Sequence, residues 1–243
     1  MKVIVVVFTY NEVKNIKPLI LQILELGSHI EVLVVDDDSP DKTAVEVESL
    51  KKKDSRVHLV CRKGKRGRGL AGKEGLQHAL NLGADYIIEM DADFSHQPKY
   101  IPYFLNYIQN NDLVIGSRKI KGGRDKRSSF LRKQITNLAA VLIKKILKIK
   151  ISDPTSGYRC FRRKVLEGID LNSLSSQGPF IVTEILYRCI NKGYLIGEMP
   201  IEFDSRKKGG TKLNIFILLD YLIKLITMKI KKRKLKLSYK FKT

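Results

Sequence analysis

The residues of this sequence best placed to do chemistry are two aspartates one residue apart, Asp91 and Asp93. They end the apolar run Tyr86-Ile87-Ile88-Glu89-Met90 and are followed by Phe94-Ser95-His96-Gln97-Pro98, a proline-marked loop or helix start. Side chains alternate along a strand, so extended backbone to the strand end puts both carboxylates on one side. Two carboxylates there repel unless a cation lies between them, and a divalent ion shared with a nucleotide diphosphate is the natural candidate. A lone D-x-D more often marks a strand ending in solvated acids. The rest of the chain has to raise the sharper reading.

The surrounding elements do so by their order. Residues 2–8 are a continuous β-branched run, as expected of a parallel strand buried on both faces. Asn15 to Leu26 has helical periodicity and ends at Gly27, which suits a C-terminal cap. Further strands are predicted over Ile30 to Val35, Val57 to Cys61, Tyr86 to Met90 and Leu113 to Ile115. Helices are predicted over Thr43 to Lys53, Ala71 to Leu82 and Pro98 to Gln109. Such alternation with short connections predicts an α/β fold, a mostly parallel sheet with helices on both faces. Ligands of such sheets bind beyond the carboxyl ends of the strands. Tyr10-Asn11-Glu12, Asp36 to Asp41, Arg62 to Gly69, Asp91 to Asp93 and Arg118 all fall at such ends. Glu12 and the acids Asp36, Asp37 and Asp38 are placed to accept from nucleotide hydroxyls and amines. A cation from Arg62 to Arg68, or Arg206, is placed to meet the diphosphate. Beyond Arg118 the pattern predicts a basic loop from Lys119 to Ser129 and a helix over Phe130 to Lys150. A turn at Asp153 to Arg159 leads to a strand, then come a helix over Pro179 to Asn191 and an extended segment from Leu195 to Phe203. Leu213 to Met228 reads as an amphipathic helix.

Charge divides the chain. Residues 1–114 carry 15 Lys+Arg against 16 Asp+Glu, and residues 115–243 carry 31 against 9, so the whole net charge of +21 belongs to the second half. That half should seek polyanions. Nucleic acid is disfavoured, because the cations accompany glycine loops and apolar helices and not an aromatic stacking surface. The segment Leu213 to Met228 is too short and too charged for the roughly 20 apolar residues of a membrane span. A helix lying on an anionic membrane surface, followed by a tail with eight Lys/Arg and no acid, fits better. Cys61, Cys160 and Cys189 have no metal-site or disulfide spacing. The first apolar stretch is too short for a signal peptide. The first strand is followed by Thr9-Tyr10-Asn11-Glu12 and not by the dinucleotide-binding G-x-G-x-x-G, and the glycine-rich basic segment does not match the Walker pattern, which disfavours Rossmann dehydrogenases and P-loop enzymes.

Seven segments occur in order: Thr9-Tyr10-Asn11-Glu12; Val34 to Asp41; Met90 to His96; Gly116-Ser117-Arg118; Asp153 to Arg159; Glu198 to Phe203 with Arg206; and Gly210-Thr211-Lys212-Leu213. Together they resemble the family 2 glycosyltransferases of GT-A fold, specifically the dolichyl-phosphate (polyprenyl-phosphate) mannose synthase group. The resemblance implies transfer of mannose from GDP-mannose to a polyprenyl or dolichyl phosphate, with Mg2+ or Mn2+. A different hexose donor such as UDP-glucose is the alternative.

By the same resemblance Thr9, Tyr10, Glu12, Asp36, Asp37 and Asp38 are donor-nucleotide positions, and Arg206 and Lys212 hold the donor diphosphate. Asp91 and Asp93 are metal acids, with Ser95 where some relatives have a glutamine ligand. Arg118, Arg132 and Thr136 meet the lipid phosphate. Asp91, Asp93, Arg118 and Arg206 form the expected catalytic set. Glu184 is a reserve candidate for a general base, and His96 reads as a loop residue. Departures from the family pattern are Phe8, where proline is usual, Asp38 and Lys42 within the common D-D-x-S-P-D-G-T, and Thr211, where serine is frequent. The expected layout is a catalytic domain over 1–212, split into a donor half (1–118) and an acceptor half (119–212), then a membrane-surface helix and basic tail (213–243). The expected setting is peripheral, on the cytoplasmic face of a membrane, with room for a membrane-embedded partner protein.

Overall fold

The computed structural model describes residues 1–204 and 221–230; within the helix that contains it, the Arg132 side chain is also outside the description. Its first strand, β1 (Val3–Thr9), lies inside the sheet and is buried along its whole length. The period of two divides its side chains between two cores. Val3, Val5 and Val7 pack with α1 (Val13–Leu24), α2 (Thr43–Lys51) and α4 (Ile101–Tyr107). Ile4, Val6 and Phe8 pack on the other side with α3 (Arg68–Asn81), α5 (Phe130–Leu147), α6 (Arg163–Gly168) and α7 (Ile181–Asn191). α3 lies so close to the sheet that a Cβ at Gly75 would meet Val35 Cγ2 at 2.7 Å and Val6 Cγ1 at 2.8 Å.

The other strands are β2 (Ile30–Asp36), β3 (Val57–Cys61), β4 (Tyr86–Asp91), β5 (Leu113–Ser117), β7 (Arg159–Arg162) and β8 (Ile196–Pro200). They form one seven-stranded sheet in the order β3-β2-β1-β4-β7-β5-β8. All neighbours are parallel except β7, which runs antiparallel between β4 and β5. The reversal positions the site. The parallel strands deliver their carboxyl ends, Thr9, Asp36, Asp91 and Ser117, to one edge of the sheet. β7 delivers its start there, so the turn over 153–158 arrives beside them. β8 pairs with β5 up to Ser117↔Pro200, which brings residues 201–204 to the same edge.

The strand and helix pattern agrees with the expectation made from sequence, with several differences. α3 begins at Arg68 and not at Ala71, which places Arg68 in its first turn. α6 was not expected. The basic loop after Arg118 forms a short strand, β6 (Arg124–Asp125), paired in parallel with β9 (Glu202–Phe203). α5 buries Ala140, Ile143 and Leu147, whereas Phe130, Leu131, Leu138 and Val141 are exposed. Residues 221–230 are helical; residues 213–220 of the predicted C-terminal helix, and 231–243 of the tail, lie outside the described residues. Among the described residues no helix is long and apolar enough to cross a membrane.

Candidate active site

At the end of β4 the backbone stays extended through Asp91, then turns through Phe94, whose φ is +60°. Asp93 is buried, and its Oδ1 accepts from Ser95 N (3.0 Å) and Ser95 Oγ (2.5 Å). Asp91 is 34% exposed and faces Arg68 Nε at 3.8 Å. His96 is buried beneath the loop: its Nδ1 accepts the Asp91 N–H at 3.0 Å, and its ring stacks on Tyr158 at 4.8 Å. Burial pushes the His96 imidazole below its usual pKa, against the pull of Asp91 and Asp93. A neutral ring with Nδ1 as acceptor suits a residue that fixes the loop. The donor set of two carboxylates with a hydroxyl beside them fits a hard divalent cation. Among the described residues no three His, Cys, Asp or Glu converge into a protein-only cage.

The acids after β2 divide by role. Asp36 is buried and accepts from Thr9 Oγ1 (2.8 Å), Ser39 N (2.9 Å) and Ser39 Oγ (2.6 Å), so it and Thr9 hold the strand-end turn. Asp37 accepts from Arg62 and from Gly67 N. Asp38 is exposed, with a φ of +57°. Arg66 caps this wall: it lies 4.6 Å over the Tyr10 ring, donates to Tyr10 Oη at 2.9 Å, and donates to the carbonyls of Asp37 and Asp38. Glu12 accepts from Asn15 Nδ2 at 2.7 Å. Asp41 fixes the loop from below. Burial raises its carboxyl pKa, but hydrogen bonds from Thr43 Oγ1 and from the N–H groups of Val13 and Thr43 outweigh this and lower it.

On the other side of the edge lies a basic cluster. Arg118 makes a bidentate pair with Asp153, Nε to Oδ2 and Nη2 to Oδ1, both at 2.7 Å, and also donates to Thr155 Oγ1 at 2.8 Å. Burial works against the charge on each, but the pairing prevails, raising the arginine pKa and lowering the aspartate. Arg127 donates to Thr136 Oγ1 at 3.1 Å and pairs with Asp125. The Arg118 and Arg127 guanidiniums lie 5.1 and 5.5 Å from the centre of the Phe203 ring, and His96 packs against the same ring at 5.3 Å. The acid loop, through His96, and the basic cluster therefore meet on one aromatic side chain.

The family model for glycosyl transferase family 2 matches residues 4–170. The chain belongs to this family. It is a glycosyltransferase, and its relatives agree. An undecaprenyl-phosphate mannosyltransferase of Micrococcus luteus is 35% identical over 214 residues, 88% of each chain. A polyprenol monophosphomannose synthase of Mycolicibacterium smegmatis is 35% identical over 88% of this chain and 81% of its own. Among solved structures, glucosyl-3-phosphoglycerate synthase from Mycobacterium tuberculosis, in complex with Mn2+, UDP and glucosyl-3-phosphoglycerate, superposes with a TM-score of 0.67 at 18% identity. The match covers 94% of this chain and 79% of that one, and supports the GT-A fold.

The transferase thus brings Thr9, Tyr10, Glu12, Asp36, Asp37, Asp38, Asp91, Asp93, Ser95, Arg118 and Thr136 to one edge of its sheet. Arg206 and Lys212 lie outside the described residues, as does the Arg132 side chain. Glu184 is a staple and not a poised base. It accepts from the N–H groups of Ser175 and Ser176, from Ser176 Oγ and from Arg188 Nη2. Burial raises its pKa, but these bonds more than offset that and lower it. The sequence reading did not single out Arg127, Asp153 or Glu89. Asp153 carries a signal in D-P-T-S-G-Y-R, a turn and one of the seven segments of the family resemblance, but no individual role follows for it from sequence. Arg127 carried none, being one cation of a basic loop.

Proposed function

We propose that this transferase moves mannose from GDP-mannose to the phosphate of a polyprenyl or dolichyl lipid, with inversion, at the cytoplasmic face of a membrane. The observation that carries the reading is the apposition across Phe203 of the acid loop and the Arg118–Arg127 cluster. Such a site has one half built for a cation-bound diphosphate and another built for a second phosphate. The mannosyl and lipid-phosphate specificity of the two relatives supports the choice of substrates.

In this reading Tyr10, Glu12 and the Asp37–Asp38 wall, with Arg66 over Tyr10, bind the nucleotide. Asp91 and Asp93, with Ser95 beside them, would hold Mg2+ or Mn2+, which would offset charge growing on the leaving diphosphate. Arg118, Arg127, Thr136 and Arg132 receive the lipid phosphate. Arg206 and Lys212 hold the donor diphosphate. A phosphate monoester has a second pKa of about 6 and is largely ionised at neutral pH, so no general base is required. This agrees with Glu184 being fully engaged elsewhere. The cationic donors stabilise the transition state by several kcal/mol. Residues 1–118 serve the donor and residues 119–212 the acceptor, apart from Arg206 and Lys212, which reach the donor diphosphate from the second half. The exposed apolar side chains of α5 (Phe130, Leu131, Leu138, Val141) and of residues 221–230 (Ile223, Ile226, Ile230) face the membrane.

The test is incubation of purified protein with polyprenyl phosphate, Mg2+ or Mn2+, and GDP-mannose, UDP-glucose or UDP-GlcNAc in separate reactions. Mannolipid formed from GDP-mannose alone is the expected result. Transfer only from a UDP-sugar would overturn the donor assignment, and no transfer from any donor would overturn the reaction.

A further inference from the structure

Alternation along β4 puts Glu89 on the same side of the strand as Asp91, and the side chain that meets both is Arg68. Its Nη2 donates to Glu89 Oε2 at 2.9 Å, and its Nε stands 3.8 Å from Asp91 Oδ1. Its guanidinium lies 3.8 Å from the centre of the Phe8 ring. Arg159 is the register partner of Glu89, but it directs its donors to the carbonyls of Pro154, Ser156 and Val182.

The backbone is shaped to put Arg68 there. Gly69 N donates to Gln177 O at 2.9 Å, and a Cβ at Gly69 would lie 2.2 Å from Ser176 O, so the first turn of α3 can seat only glycine at this point. A Cβ at Gly72 would lie 2.8 Å from Arg68 Nη1. The arrangement is nevertheless incomplete. Arg68 Nη1 and Glu89 Oε1 are the two buried side-chain polar atoms without a hydrogen-bond partner among the described residues, and Glu89 is only 1% exposed. Buried polar atoms left in this way are costly, and an arrangement that carries them invites completion by another group.

We propose that Arg68 is a resident counter-cation of the donor site: before a divalent ion binds, its guanidinium neutralises the Glu89–Asp91 strand end, and ion binding displaces it from Asp91. The inference rests on the reading of Asp91 and Asp93 as the metal acids. A divalent ion on Asp91 repels a guanidinium at this range. Arg68 stays tethered to Glu89, and the N–H released from Asp91 becomes a donor for an oxygen of the diphosphate that enters with the ion. The free protein then binds the ion weakly by itself, and nucleotide and ion bind cooperatively.

The experiment is calorimetric titration of Mn2+ into the full chain, without nucleotide and then with GDP. Arg68→Gln is expected to bind Mn2+ alone about fivefold more tightly than wild type, the effect of removing one half-exposed competing ion pair, and to gain less from GDP. Arg68→Lys keeps a cation and stays near wild type. An Arg68→Gln affinity equal to or weaker than wild type overturns the proposal. Arg68→Gln leaves Glu89 buried without its cation, so Glu89→Gln and the double variant are titrated alongside. The double variant must show the same tightening over Glu89→Gln alone. Asp91→Asn separates the two readings. Loss of Mn2+ binding there with no tightening in Arg68→Gln sinks the Arg68 role alone, and unchanged binding there sinks the metal assignment and this inference together.

Discussion

Asp91 closes β4 and Arg118 follows β5, with only β7 between those strands, yet the fold treats their charges in opposite ways. Arg118 is 6% exposed and locked by two 2.7 Å bonds to a fully buried Asp153. Asp91 is 34% exposed and meets Arg68 at 3.8 Å and His96 at 3.9 Å. A short bidentate pair fixes the orientation of the guanidinium before any ligand arrives. The Asp91–Arg68 pair, across nearly 4 Å, compensates charge without the fixed geometry of a short bidentate pair. The Arg118 side is therefore preorganised, and under the proposed reading the Asp91 side is arranged to exchange its cation.

Each half can be perturbed separately. Asp91→Asn or Asp93→Asn should lower turnover by about a hundred- to a thousandfold, in the range seen on removing a transition-state electrostatic contact. Binding to anionic vesicles, measured by co-sedimentation, should remain. Loss of both together would mean that the halves are not independent.

Arg118→Ala strands Asp153 as an uncompensated buried charge, and breaking such a pair costs about 3–5 kcal/mol. Chemical denaturation should show that loss together with reduced transfer, while Mn2+ binding by the remaining folded protein stays intact. Raising salt from about 0.05 to about 0.5 M should weaken vesicle binding at least roughly tenfold, because the Debye length shrinks severalfold. Nucleotide affinity should fall much less.

The pair also predicts a pH dependence. The folded pKa of Asp153 lies below the ordinary 3.8. Its contribution is therefore present above that value and is lost as pH falls through the folded pKa. Urea midpoints at about pH 7 and about pH 3 should converge in Asp153→Asn, which starts lower at neutral pH but declines less on acidification. The smallest effect concerns Lys42, which caps α2 at a φ of +69°. Lys42→Gly should raise stability by about 0.5–1 kcal/mol with transfer unchanged, because glycine adopts that backbone conformation without a Cβ clash.

Much of this was legible in the chain itself. The β-branched run of 2–8, the helices between strands and the polar clusters at strand ends specify an α/β sheet and mark which edge binds ligand. Local periodicity and turn chemistry are properties of neighbouring residues. The D-x-D and its companion segments identified the family for the same reason. The charge division between the halves is likewise a count along the sequence.

What the chain did not show by itself are the long-range pairings. No local pattern sends β7 antiparallel into the middle of the sheet, and that reversal is what brings Asp153 to Arg118 across 35 positions. Nor does periodicity say that α3 starts at Arg68, since the cause is the close seating of Gly69 on the Ser176 carbonyl, more than 100 positions away. The division of Asp36 and Asp37 between holding a turn and pairing with Arg62 was invisible in D-D-D for the same reason. Sequence determined the types of charge and the edge where they gather. Tertiary packing decided which of them are neutralised, because a partner's distance depends on chain crossings that adjacent residues do not encode.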